Sequence, residues 1–191
     1  TERKGRDSAD RDEYKFKLQA SYCFNNEINM IEYYHNSSYL EYGGSPDKAI
    51  RNAFVYAIDK YLKNNGKYNK NESKISFVDV SDSLIIVTNS FSTITSYENQ
   101  TKKAITNKFI QEAMTDFFRQ QLEIYFLENK LDAEKITNQI LINMRSRIKA
   151  ETTRINIKKT LQSSNDMTSR VEKFVDCRSK DVNEREIFIV E

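Results

Sequence analysis

Residues 42–62 read YGGSPDKAIRNAFVYAIDKYL, and they decide the fold class by placing a long amphipathic helix straight after strand-forming sequence. Gly43 and Gly44 permit a turn, Ser45 is a good N-cap, and Pro46 falls at the first helical position, where its missing N–H costs nothing. Ala49, Ile50, Ala53, Phe54, Ala57, Ile58, Tyr61 and Leu62 then share one face at helical spacing. Gly66 ends the helix neighbourhood.

Upstream, residues 14–24 (YKFKLQASYCF) and 28–35 (INMIEYYH) are rich in aromatic and β-branched residues, with Asn25, Asn26 and Glu27 between them. They predict two adjacent antiparallel strands. Downstream, polar residues 67–74 predict a loop, 75–78 (ISFV) a short strand and 84–91 (LIIVTNSF) a strong one. A helix follows over 108–128, with Ile110, Ala113, Met114, Phe117, Phe118 and Tyr125 as most of its apolar stripe. Asp132 can cap a second long helix over 132–160, whose apolar positions are Ile136, Ile140, Met144 and Ile148. From about residue 162, QSSNDMTSR reads as a linker. Strand, strand, helix, strand, long helix, long helix is the order of an α+β domain with helices on one face of a sheet.

Composition narrows the function classes. Thirty basic and 28 acidic residues in 191 give a net charge of +2, so charge balance alone does not argue for nucleic acid or membrane. One proline and four glycines leave few tight turns. No segment approaches the roughly 18 consecutive apolar residues of a membrane span, and no signal peptide is visible, so a soluble cytoplasmic protein is expected. Cys23 and Cys177 show no CxxC or Cys/His spacing, which argues against structural zinc and for reduced, buried thiols. His35, the single histidine, would have to serve any Ser-His-Asp or Cys-His machinery, and no neighbouring residue in sequence points to that. The mixed-charge start, TERKGRDSADRDE (1–13), predicts a flexible segment. The apolar run Ile187–Val190 predicts a buried strand cut at its end, so the chain is read as a piece of a longer protein.

Three places could carry chemistry. Lys102, Lys103 and Lys108 crowd the start of the 108–128 helix, where positive charge is unfavourable unless an anion is held there. The loop is not a Walker A motif, because the required glycines are absent. Along 136–160, Arg145, Arg147, Lys149, Arg154, Lys158 and Lys159 stand against the single acid Glu151, a distribution suited to DNA phosphates or to a solvated face. Glu191 follows directly on an apolar strand, a position suited to metal or acid–base chemistry.

Three segments, in this order, resemble the B subunits of DNA gyrase and topoisomerase IV. YGGSPDKAIRNAF is similar to that family's Gly-Gly-Thr-His segment opening a helix, YENQTK (97–102) to its Gln-Thr-Lys loop, and FVDCRSKDVNEREIFIVE (174–191) to its Ala-Asp-Cys segment running into Ile-Val-Glu-Gly-Asp-Ser. The chain departs from the pattern at Ser45 and Pro46, in lacking the proline before the loop, and in SRVEKFVDC (169–177). The resemblance implies a transducer domain with a ribosomal-S5-like α+β fold: a mixed sheet, a left-handed βαβ crossover and a long C-terminal helix. It implies a transducer over 14–162, then a linker and the first strand of a truncated Toprim domain over 163–191. It implies that Gln100 and Lys102 reach the ATP γ-phosphate in a neighbouring domain. It implies that Glu191 is a Toprim carboxylate working with Mg2+, in a site incomplete within this chain. The isolated chain is then expected to be inactive and to bind neither cofactor, whereas the whole enzyme would be an ATP-dependent type IIA topoisomerase. Its partners would be DNA, a topoisomerase A subunit and a second B subunit. A non-enzymatic nucleic-acid-binding module with an S5-like fold, carried by helix 136–160, is the alternative. A related ATPase of mismatch-repair or chaperone type is disfavoured by Asp176-Cys177 leading into Ile-Val-Glu.

Overall fold

The computed structural model describes residues 2–6, 13–166 and 181–184. The chain divides into two compact units, residues 1–148 and 149–191. The first unit is built on a five-stranded mixed sheet. Its strands are β1 (Glu2–Arg6), β2 (Glu13–Phe24), β3 (Met30–His35), β4 (Ser38–Tyr39) and β6 (Leu84–Ser92), in the order β1-β2-β6-β3-β4. A second sheet of two parallel strands joins β5 (Gly43–Gly44) to β7 (Ala104–Ile105). The helices are α1 (Ser45–Asn64), α2 (Phe77–Ser81), α3 (Lys108–Glu128) and α4 (Lys130–Asp166). In the second unit the structure describes the end of α4 and a 3₁₀ turn, Val182–Glu184.

The strands at 14–24 and 28–35 do not pair with each other. Strand β6 lies between them, antiparallel to β2 from Phe16 opposite Ser92 to Phe24 opposite Leu84, and parallel to β3 from Met30 opposite Ile85 to His35 opposite Ser90. Residues 25–29 form no two-residue hairpin. Asn25 Oδ1 accepts from Glu27 N at 2.7 Å and Ile28 N at 3.3 Å, and Asn25 N donates to Ser83 O, so the turn caps the end of β6 and steps over it. The apolar, β-branched stretch 84–87 explains the central place, since a strand with two neighbours is best filled by such residues.

One sheet face is buried: Tyr14, Phe16 and Leu18 from β2, Leu84 and Ile86 from β6, and Tyr33 from β3 pack with α1 and α3. Tyr14 stacks on Phe109 at 3.9 Å, and Phe54 of α1 meets Phe118 of α3 at 5.6 Å between ring centroids. The alternating residues on the other face are exposed or half-buried. Cys23 sits there and is exposed rather than buried, because strand parity puts it opposite Tyr22 and Phe24. Cys177 lies outside the described residues.

Several local expectations are corrected. Residues 2–6 form an edge strand on β2 rather than part of a flexible tail, with Glu2 paired to Lys17 at 3.8 Å and charges along an edge that must not recruit further strands. Residues 75–78 do not form the expected strand, and Phe77–Ser81 is helical. Ser76 N and Oγ both donate to Asp79 Oδ2, at 2.7 and 2.8 Å, closing a capping box that the apolar run had masked. Ser45 is the first helical residue, and Gly44 holds the cap position. The Ser45 hydroxyl instead donates to Ile105 O at 3.1 Å. Asp132 lies inside the first turn of α4, which starts at Lys130, and the helix continues to Asp166 where a linker was predicted from 162.

The basic run of α4 is partly structural. Arg147 donates from Nε to Asp79 Oδ1 at 2.6 Å and from Nη2 to Oδ2 at 3.0 Å, and Arg145 forms the same fork on Glu72 at 2.6 and 3.0 Å. Hydrogen bonds from Arg145 hold the Glu72 carboxyl down at about 2. Burial pushes the Asp79 carboxyl up, but the Arg147 and Ser76 donors outweigh it and keep it below the usual range. Asn143 adds donors to Asp79 O at 3.0 Å and Ser83 Oγ at 2.9 Å.

Asp79 is 1% exposed, so Arg147→Ala strands a buried carboxylate. Urea unfolding should register a loss of roughly 2–3 kcal/mol, near the low end for a broken buried pair because Arg147 itself is partly solvated. A loss under about 0.5 kcal/mol would remove the anchoring role of this pair.

Candidate functional site

The candidate site is the loop between β6 and α3. It is suspended by a β-bridge and by main-chain and side-chain hydrogen bonds. Tyr97 bridges Ile105 in antiparallel fashion, and Glu98 N donates to Ala104 O at 3.0 Å. Thr106 N donates to Ser96 O at 2.9 Å, while Asn107 Oδ1 accepts from Ser96 N at 2.8 Å. The loop thus folds back on β7, and β7 pairs with β5 immediately before α1. Gly43 and Gly44 make that pairing possible, with φ of +65° and +77°. A Cβ on Gly44 would lie 2.2 Å from Ile105 O, and one on Gly43 would lie 2.8 Å from the Tyr33 ring. Only residues without a side chain admit this approach.

At the loop tip, Asn99 begins a tight turn: Lys102 N donates to Asn99 O at 3.2 Å, and Thr101 N to Asn99 Oδ1 at 3.1 Å. Lys102 has φ +56°, a left-handed conformation uncommon for a residue with a side chain. Its ammonium lies 5.6 Å from the centre of the Tyr97 ring. Gln100, Thr101 and Lys102 are all exposed. Lys103 is engaged differently, ion-paired with Glu41 and 5.6 Å from the Tyr42 ring. Lys108, the only one of the three lysines inside α3, makes an i,i+4 pair with Glu112 at 3.5 Å. The crowding seen in sequence therefore separates into one lysine with no acidic partner among the described residues and two ion-paired ones. Tyr97, Asn99 and Glu41 were missed. Asn99 was legible as a turn former, but the partners of Lys102 and Lys103 depend on which face of the turn each side chain leaves.

His35 holds the base of this loop. It is fully buried, with Nδ1 2.8 Å from Ser90 Oγ and Nε2 2.8 Å from Thr95 Oγ1. Ser90 Oγ donates to Tyr34 O at 3.3 Å, which assigns Nδ1–H as donor to Ser90 and Nε2 as acceptor from Thr95. Among the described residues no three His, Cys, Asp or Glu side chains converge on a metal position. Glu191, to which the family resemblance gives a magnesium role, lies outside the described residues. No helix among them is long and apolar enough to cross a membrane.

Two measurements check this architecture. Gly44→Ala combines a left-handed φ with a backbone clash and should cost at least about 2 kcal/mol, while Gly66→Ala, at φ +58° with nothing within 4 Å, should cost only about 1 kcal/mol. Equal losses in urea melts would mean that the β5–β7 approach is not tight. Burial lowers the His35 imidazole to about 4, below its ordinary 6.5. Because the folded value is the lower one, stability is complete above about pH 6.5 and falls as pH drops towards 4, where the unfolded chain binds a proton that the folded chain rejects. About 2 kcal/mol should be lost between pH 7 and pH 5 from this group, and His35→Gln should lack that part of the pH dependence.

The DNA gyrase B family model matches residues 3–156. Of the curated relatives, the DNA gyrase B protein of Metamycoplasma arthritidis is 31% identical over 163 residues, covering 85% of this chain and 25% of the relative. That of Spiroplasma citri is 29% identical over 180 residues, covering 93% and 27%. The chain spans about a quarter of the length of these relatives. Among solved structures it is similar to the topoisomerase IV ATP-binding domain of Francisella tularensis with a small-molecule inhibitor, at TM-score 0.63 and 22% identity over 77% of this chain and 40% of that one. It is also similar to the 43K ATPase domain of Thermus thermophilus gyrase B in complex with an aminocoumarin, at TM-score 0.62 and 18% identity over 81% and 40%. At those identities the structural likeness concerns the fold. The family model covers most of the sequence, with a relative above 30% identity across most of it, and on these grounds the chain belongs to the DNA gyrase B family.

Proposed function

We propose that this chain is the transducer segment of an ATP-dependent type IIA DNA topoisomerase B subunit, coupling nucleotide state in a neighbouring ATPase domain to DNA strand passage. The observation that carries the reading is the exposed Gln100-Thr101-Lys102 turn, held at the end of a loop that is hydrogen-bonded back onto β7 and, through it, to the start of α1. Lys102 has no acid beside it among the described residues and is free to meet a phosphate. Gln100 supplies an amide donor two residues earlier. A fixed cation facing the terminal phosphate stabilises charge there, and loses its partner when that phosphate leaves. ATP supplies the leaving phosphoryl group, while this chain contributes orientation and charge.

Any displacement of the turn would be delivered to β7 and the first turn of α3, and from α3 across Asn129 into α4. Tight packing of α1 on α3 favours movement of these elements as rigid bodies over local deformation. In this reading the parallel β3–α1–α2–β6 crossover is the left-handed unit of an S5-like transducer occupying 14–162, with the linker and first Toprim strand beyond it. Glu191 would work with Mg2+ only in the whole cytoplasmic enzyme, together with DNA, an A subunit and a second B subunit. The isolated chain would not turn over ATP. The nucleic-acid-module alternative based on helix 136–160 is weakened, because two of its six cations, Arg145 and Arg147, are committed to Glu72 and Asp79.

The test is Lys102→Ala in the full-length protein assembled with its partner. ATP-dependent supercoiling or decatenation should fall at least about 100-fold, within the range for loss of a phosphate-facing cation. ATP turnover should fall with it. Near-normal turnover and strand passage would overturn the role given to Lys102.

A further inference from the structure

The sheet face turned away from the helices carries an arrangement that the gyrase-family reading does not use. On β1 and β2, Lys4 and Lys15 stand directly opposite each other, and Lys17 lies two residues on, opposite Phe91 of β6. Like charges facing each other across strands are unfavourable, and neither Lys4 nor Lys15 has an acidic partner among the described residues. Glu2 occupies Lys17 at 3.8 Å. These lysines, with Phe91, Asn36 and Thr93, line an open cleft of about 340 Å³, in the size range of small-ligand sites.

Aromatic rings continue the path across the sheet. Beyond Phe91 and Asn89 on β6 comes Tyr34 on β3, opposite Asn89, and then Tyr39 on β4, opposite Tyr34 and 5.5 Å from its ring. Tyr39 is 53% exposed. From β2 to β4 is three strand spacings, about 14 Å, a span suited to two or three nucleotides. The acid on this stretch, Glu32, accepts from the Tyr34 hydroxyl at 3.0 Å and fixes that ring.

We propose that this open face binds single-stranded nucleic acid, with phosphates on Lys4 and Lys15 and unstacked bases on Phe91 and on the Tyr34–Tyr39 pair. A sheet face that combines cations at one side with rings along its middle matches the stacking platforms that hold single strands. A duplex keeps its bases stacked and has none to offer to Phe91, so the single strand is the occupant that uses both halves of the surface. The exposed Gln19 amide, two residues on from Lys17 and opposite Asn89, supplies a further donor and acceptor along the path.

Fluorescence anisotropy of a labelled oligothymidylate with the 191-residue chain, read at several salt concentrations, tests this, with a labelled duplex of the same length as comparator. The single strand should bind more tightly, with affinity falling as salt rises. Lys4→Ala with Lys15→Ala should reduce the salt slope by about 1.4, at about 0.7 per phosphate contact. Phe91→Leu keeps the apolar bulk but removes the ring, and should weaken binding by roughly 5-fold to 100-fold with the slope unchanged. Lys15→Glu, at an exposed position, gives a second reading independent of any packing effect and should abolish binding. Lys158→Ala with Lys159→Ala should leave it intact. Equal binding of duplex and single strand, indifference to both Phe91→Leu and Lys15→Glu, or loss only with the α4 lysines would overturn the proposal.

Discussion

The constraint on which the other elements depend is the approach of the Gly43-Gly44 backbone to Ala104-Ile105. It joins residues some sixty positions apart in the chain and sets three things together: the start of α1, the short strand β7 and the base of the loop that presents Gln100 and Lys102. The two glycines adopt left-handed φ in a space that a single Cβ would close. The Ser45 hydroxyl, donating to Ile105 O, adds a side-chain bond at the same point. A loop hung from such a joint keeps its position without packing its own tip, and the tip residues stay exposed and available.

A second joint fixes the long helix. Asp79 caps α2 through Ser76 and also receives the fork of Arg147, so one buried carboxylate ties a short helix, the β6 approach and α4 to each other. Charged groups in that position contribute orientation more than net stability, since desolvation offsets much of their attraction. The result changes how the basic stretch of α4 reads. What looked like a uniform cationic face is an anchored part, Arg145 and Arg147, followed by an exposed part containing Lys149, Lys158 and Lys159.

The α+β class, α1 with its apolar stripe, α3 and the strength of β6 were legible, because period and capping are local properties of the chain. The α3 stripe was read only in part, without the buried Phe109, Leu122 and Phe126. The choice of Gln100 and Lys102 as candidate site residues came only through resemblance, since the pattern of lysines alone did not separate an anion site from solvated charge. The pairing of β2 and β3 was misread because neighbours in sequence are often neighbours in a sheet, and nothing in residues 25–29 announces that β6 will enter between them. Residues 75–78 were misread as a strand because Ile75, Phe77 and Val78 favour strands when taken alone, while Ser76 and Asp79 close a capping box that starts a helix at Phe77.

Sequence by itself determined where helices and strands can form, which faces of them are apolar, and that Gly43, Gly44 and Pro46 must open a helix. Those properties follow from local sterics and from side-chain periodicity. Tertiary structure alone decided the strand order, the split of three clustered lysines into two ion-paired and one that lacks an acidic partner among the described residues, the burial of His35 between Ser90 and Thr95, and the cationic–aromatic face of the sheet. Each of these depends on residues far apart in the chain meeting at hydrogen-bond or van der Waals distance, and such meetings are set by how whole elements pack.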